Sequence, residues 1–249
     1  MKKLLMIAFL VISNVVCTGQ ESVVLKYNYK KGDKYVMQMS FKQNMGIAGG
    51  MNLSMKANIN VVESSKETFK LANKIKKVSA DVSQGGKTMH YDSDMKDSEL
   101  DDEGKKMKAQ FASALKAISY TTFNNRGKIL SVKVEPKIPG ANQASNQSLM
   151  TYSVFPKEAV KVGSTWTNEQ DIQGMKLTII YTVTKITAKS VETSLSGNIN
   201  VMGVAGKITG DASFSRKTGN TDSMKMDTSI SMQGMTMSMG TSATIKKVN

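Results

Sequence analysis

Cysteine, histidine, tryptophan, proline and arginine are nearly missing from this 249-residue chain. It has one cysteine, one histidine, one tryptophan and three prolines. The cysteine, Cys17, lies in the apolar N-terminal stretch, so a chain without that stretch carries no disulfide and no cysteine-ligated metal, and its stability must come from packing. The histidine, His90, excludes a multi-histidine metal site and leaves one imidazole for acid–base chemistry. In Met89-His90-Tyr91, alternation turns His90 away from its two apolar neighbours, as on the wet side of a strand. No serine sits in a Gly-x-Ser-x-Gly elbow. No catalytic residue and no cofactor is expected. Arginine occurs only as Arg126 and Arg216, and aromatic residues make up 6%, so the basic residues lack the arginine clusters and stacking partners of a nucleic-acid binder. Nucleic acid is not expected as a partner.

The start of the chain, Met1-Lys2-Lys3 followed by apolar Leu4 to Ile12, is too short to span a bilayer and has the form of a secretory signal. Small residues at Cys17 and Gly19 favour cleavage before Gln20, giving a signal peptide over 1–19 and an exported, periplasmic or secreted product. The alternative is lipidation of Cys17 and outer-membrane anchoring, which bulky Val16 disfavours.

The formal charge is +14. Without Lys2 and Lys3 it is about +12, enough to attract an anionic envelope surface. Most lysines alternate with serine and threonine, as on a solvated sheet face where they also block aggregation. The acids Asp92, Asp94, Asp97, Asp101, Asp102 and Glu103 lack the spacing and the glycine of a calcium loop and fit a solvated helix start instead.

What is present in quantity is alternation. From Met51 to Val61 every odd position is apolar and every even one polar, the signature of a strand with one buried face. The pattern returns at Met175–Val183, each time after a glycine. Val23–Tyr29, Tyr35–Phe41 and Phe69–Ile75 read as further strands, with Tyr35, Met37, Met39 and Phe41 on one face. A phase change at Lys76-Lys77-Val78 predicts a bulge. Tyr120–Phe123 and Ile129–Val134 read as a hairpin, and Met224–Met232 with Met235–Met239 as the last pair. After Asp97, the spacing of Met107, Phe111, Ala114, Leu115 and Ile118 predicts an amphipathic helix with acid at its start.

The fold class expected is mainly β: a curved antiparallel sheet or sheets, or a half-barrel, from two related halves, with that helix and a short second helix within 141–150 packed on the sheet. One domain over 20–249 would comprise halves 22–135 and 150–249 and a polar linker 136–149. Val162-Gly163-Ser164-Thr165-Trp166 aligns with Lys31-Gly32-Asp33-Lys34-Tyr35 at an offset of 131, and Met175 with Met51 at 124. That places seven extra residues in the first copy and pairs Leu53 with Leu177, Ile59 with Val183, Leu71 with Leu195 and Ile75 with Ile199.

The residues Phe155-Pro156, Val160-Lys161-Val162-Gly163 and Trp166, the start Lys31-Gly32-Asp33-Lys34-Tyr35, and the Phe214/Gly219 strand and turn resemble an exported bacterial family of unknown function, with a Phe-Pro-x(3)-Val-x-Val-Gly-x-x-Trp motif, secreted or lipid-anchored in Gram-negative envelopes. The resemblance implies a curved antiparallel sheet closed by helices, similar in shape to periplasmic lipoprotein carriers, and no catalytic residues.

Methionine is the compositional outlier, with 19 in all. Met37/Met39, Met51/Met55, Met224/Met226 and Met235/Met237/Met239 share strand faces, and Met175 opens the repeated strand. Valine and isoleucine suit strands better, but unbranched thioethers repack around varied apolar partners. These ten methionines are the expected binding face for a hydrophobic ligand, lipid-like or peptide, or for an envelope protein. The alternatives are a structural or assembly protein of the envelope whose methionines are core, and Cu(I) held by Met235, Met237 and Met239. The oligomeric state is not legible.

Overall fold

A computed structural model describes residues 21–137, 152–172, 175–201, 203–232 and 235–248. The expected signal peptide, Cys17, the second helix and most of the linker fall outside these, as do the side chains of Met175 and Met235.

The described chain is mainly β. Twelve strands form one antiparallel sheet: β1 (Lys34–Asn44), β2 (Gly50–Ser64), β3 (Thr68–Gln84), β4 (Lys87–Asp92), β5 (Ile118–Asn124), β6 (Ile129–Glu135), β7 (Thr165–Ile172), β8 (Met175–Ile186), β9 (Ser190–Val201), β10 (Val204–Ser215), β11 (Thr221–Met232) and β12 (Met235–Val248). The order is β6-β5-β3-β2-β1-β12-β11-β10-β9-β8-β7, with β4 on the free half of β3. The sheet does not close, and β6 and β7 are its ends. Period-two alternation gives it one apolar and one polar face. The bulge expected near Lys76 is present: Lys56 pairs with Lys77 but Ala57 with Ile75, which returns Ile75 and Val78 to the same side.

Two covers seal the apolar face. The helix α1 (Asp102–Lys116) lays Met107, Phe111 and Leu115 on Met39, Leu53, Met55, Val78 and Ala80. Phe111 stacks on Tyr91 with centroids 5.8 Å apart. Asp101 caps the helix by accepting the Gly104 N–H at 2.8 Å, so one of the acids at its start satisfies a backbone donor. Ile118, read as the end of the helical stripe, instead opens β5.

The other cover corrects an expectation. Val23–Tyr29 is extended and alternates in burial, but it joins no sheet; Val23 makes a single bridge with Val160. It crosses the apolar face, burying Leu25, Tyr27 and Tyr29. Its backbone bonds go to loops, Tyr27 N–H to Asn125 O and Asn28 N–H to Thr218 O. Residues 152–160 lie beside it. The rings of Phe123, Tyr27, Phe155 and Phe214 follow one another at 5.1, 5.1 and 5.2 Å, bridging β5 to β10 across strands that are far apart in the sheet. Both arginines hold these covers. Arg126 donates to the Pro156 and Lys157 carbonyls, and Arg216 pairs with Glu21 at 2.7 Å.

The internal matching also differs from the sequence alignment. Gly32 N–H bonds Val61 O and Val61 N–H bonds Asp33 O; Gly163 N–H bonds Val183 O and Val183 N–H bonds Ser164 O. The register shift at Val61/Glu63 recurs at Val183/Lys185, and the Ser65–Thr68 turn recurs at Thr187–Ser190. Val183 thus matches Val61 at an offset of 122, and Tyr181 matches Ile59. The pairs Leu53/Leu177, Ile59/Val183, Leu71/Leu195 and Ile75/Ile199 are each out by two. With 131 at the glycines, the first copy carries nine extra residues, divided among longer β1 and β2 and their turn. An even slip keeps every apolar side chain on the same face, so alternation alone does not detect it.

Candidate functional site

All eight methionines of the expected face whose side chains are described lie on the apolar side, as the strand register requires. Met39 pairs with Met55 and Ala243, and Ala243 pairs with Met224, which extends one row over β2, β1, β12 and β11. Their depth divides them. Met37, Met39, Met55, Met224 and Met226 are at most 7% exposed and sit among tyrosines, leucines and helix α1. Met51, Met237 and Met239 are half-buried, as is Phe41. These four surround Gln43, which pairs with Met51 on β2 and Met239 on β12. Its amide Nε2 donates to the Met237 Sδ at 3.1 Å. That end of the apolar face combines soft thioethers with one amide. The bond to Gln43 also engages the central sulfur of the expected Cu(I) trio.

The polar side carries what the sequence reading passed over. Rows of small hydroxyl side chains run across the strands, such as Ser242, Ser40, Ser54 and Ser79 on β12, β1, β2 and β3. Two open cavities lie on this side. One, of about 640 Å³, is bordered by residues of β10, β11, β12, β1, β2 and β3. The other, of about 480 Å³, lies over β12, β1, β2 and β3. The signal for them was the polar positions of the alternating stretches.

His90 is exposed on β4 and lies 2.6 Å from Asp81, on the wet side as expected. Among the described residues no three His, Cys, Asp or Glu side chains cluster as a metal site. Asp92 and Asp94 both bind Lys77. Partial burial raises the Asp92 pKa, but the Asp94 N–H and the Lys77 ammonium outweigh it and hold the carboxyl below its ordinary range. Asp33 is similar: burial acts upward, and bonds from Lys247, the Lys30 N–H and Tyr35 hold it down. The residues of the quoted motif are structural in geometry, with Phe155, Val160 and Trp166 buried and Gly163 at φ +87°.

No helix among the described residues is long and apolar enough to cross a membrane. The chain matches no protein-family model and no curated protein sequence.

Proposed function

We propose that the protein is a non-enzymatic exported envelope protein that holds a hydrophobic ligand, lipid-like or peptide, at the half-buried end of its methionine-lined face. The observation that carries this reading is the division in depth. Phe41, Met51, Met237 and Met239 are reachable around Gln43, while the five deeper methionines serve as core. Flexible thioethers accommodate an apolar chain of variable shape, and the Gln43 amide offers one polar contact to its end. The basic start and short apolar stretch of the N-terminus, which have the form of a secretory signal, motivate the envelope setting.

Protein purified without detergent is melted with dodecanoate. A saturable rise in midpoint, as expected for a ligand that binds only the folded state, with loss of that rise in Met237→Gln/Met239→Gln, supports the site. No shift, together with an organic extract free of lipid and peptide, overturns it. The structural or assembly reading then stands, which the depth of Met37, Met39, Met55, Met224 and Met226 already favours.

A further inference from the structure

A cavity on the polar side that touches both Lys207 on β10 and Asp81 on β3 spans six adjacent strands. Strands lie about 4.8 Å apart, so a flat sheet would present these side chains as an open plain; one cavity shared by all six requires the sheet to bend toward its polar side along this diagonal. The second cavity overlies four of the same strands. A third, of about 200 Å³ beside Lys42 and Lys225, adjoins them. Together they form a trough.

The floor of the trough is made of short side chains. Ser40, Ser54, Ser79 and Ser242 stand in one cross-strand row, with Gly240 next to it on β12. Its charges divide into two kinds. Lys77 is held by Asp92 at 3.0 Å and Asp94 at 2.7 Å, Lys225 stands 3.8 Å from Asp227, and Asp81 is engaged by His90. Lys42, Lys56 and Lys207 border the trough with no carboxylate within salt-bridge reach among the described residues.

We infer that this trough binds an acidic glycan, a linear polysaccharide bearing carboxylate or phosphate groups. Hydroxyls and amides that both donate and accept match the hydroxyls of sugars, and three uncommitted ammonium groups match spaced anions as point charges. Single-stranded nucleic acid would call for aromatic platforms, and no aromatic residue borders the two larger cavities. A bilayer is flat and does not enter a concave face. A polypeptide gains its backbone bonds at sheet edges, whereas the trough lies in the middle of the sheet. The larger cavity also touches Gln43, Met51 and Met239 at the strand ends, but the lysines and serines that carry the inference stand on the face opposite to the methionine side chains, so it does not depend on the hydrophobic-ligand reading.

Titration calorimetry of the full chain with hexamannuronate at 50 mM salt tests it, with cellohexaose as the neutral control and vesicles containing anionic phospholipid as the lipid control. Saturable binding to hexamannuronate, weakened at least tenfold in the Lys42→Gln/Lys56→Gln/Lys207→Gln variant and at least fivefold in Ser242→Tyr, which fills the floor at unchanged charge, is the expected result. Lys157→Gln/Lys161→Gln, on the opposite side, is expected to bind within twofold of the parent. Equal affinity for cellohexaose, equal loss in the Lys157/Lys161 control, or binding to the vesicles but not to hexamannuronate overturns the inference.

Discussion

The Tyr29 hydroxyl donates to Asn220 Oδ1 over 2.8 Å, joining two buried residues that stand 191 positions apart. The Asn220 amide in turn donates to the Thr221 and Ile245 carbonyls. One side chain thus fastens the N-terminal cover to both β11 and β12. Asn220→Ala leaves the Tyr29 hydroxyl and the Ile245 carbonyl without this partner and is expected to cost about 2–3 kcal/mol, and Tyr29→Phe about 1–2 kcal/mol. Because they share a bond, the double variant should cost less than the sum. Urea unfolding of the three proteins measures this, and strict additivity would show the bond to be energetically silent.

Acid should loosen the joint between the start of β1 and the end of β12. Lys247 lies 2.7 Å from Asp33, whose side chain is 13% exposed. The Asp33 pKa is lowered on folding, so the stabilisation is fully present above the unfolded value of about 3.9 and is lost as pH falls through the lower folded value. The exposed lysine keeps it near about 1 kcal/mol. Denaturation midpoints between about pH 5 and pH 2.5 should fall less steeply for Asp33→Asn than for the parent.

Two glycines of positive φ should respond differently to alanine. At Gly127, φ +90°, a methyl group would meet the Ser153 carbonyl oxygen at 2.2 Å and the Tyr27 ring at 2.8 Å, so the cover over residues 152–155 must lift. Gly85, φ +57°, faces open space. Gly127→Ala is expected to cost more than about 3 kcal/mol and Gly85→Ala about 1 kcal/mol, the strain of the backbone alone. Chemical denaturation compares them.

Dilute peroxide should sort the methionines by depth. Met45, 39% exposed, should gain oxygen first and the half-buried Met51, Met237 and Met239 next, while Met37 and Met226, at 2% and 3% exposure, should remain thioethers until the protein unfolds. Peptide mass spectrometry gives the order. Met226→Ala is expected to destabilise by about 2–5 kcal/mol as a core truncation. Equal oxidation rates at Met226 and Met239 would contradict the packing described above.

Much of this architecture was legible because alternation reports directly on which side of a strand is wet. The shared face of Tyr35, Met37 and Met39, the slip at Lys76 and the stripe Met107, Phe111 and Leu115 all follow from local periodicity. Periodicity is blind to what lies on top. Val23–Tyr29 alternates because it covers the sheet, and nothing local separates that from membership in the sheet. Burial of Met39 and Met55 depends on α1, which arrives from another part of the chain. The trough depends on how the sheet bends between β10 and β3, a property of the assembled strands that no single stretch encodes. Lys42 and Lys207 therefore read only as solvated lysines until the strands are placed side by side.

In the middle of the sheet, β1 and β12 run together from Lys34 opposite Val248 to Asn44 opposite Ser238. The central seam therefore joins the first and the last strand of the described sheet. Until the β11–β12 hairpin is in place, β1 has only one of its two neighbours, and its other edge stays bare. Folding cannot proceed strand by strand behind the growing chain. Completion of the seam waits for β12, and during that wait a chaperone that shields the bare edge of β1 would protect the yield of native protein more than one acting on either outer end.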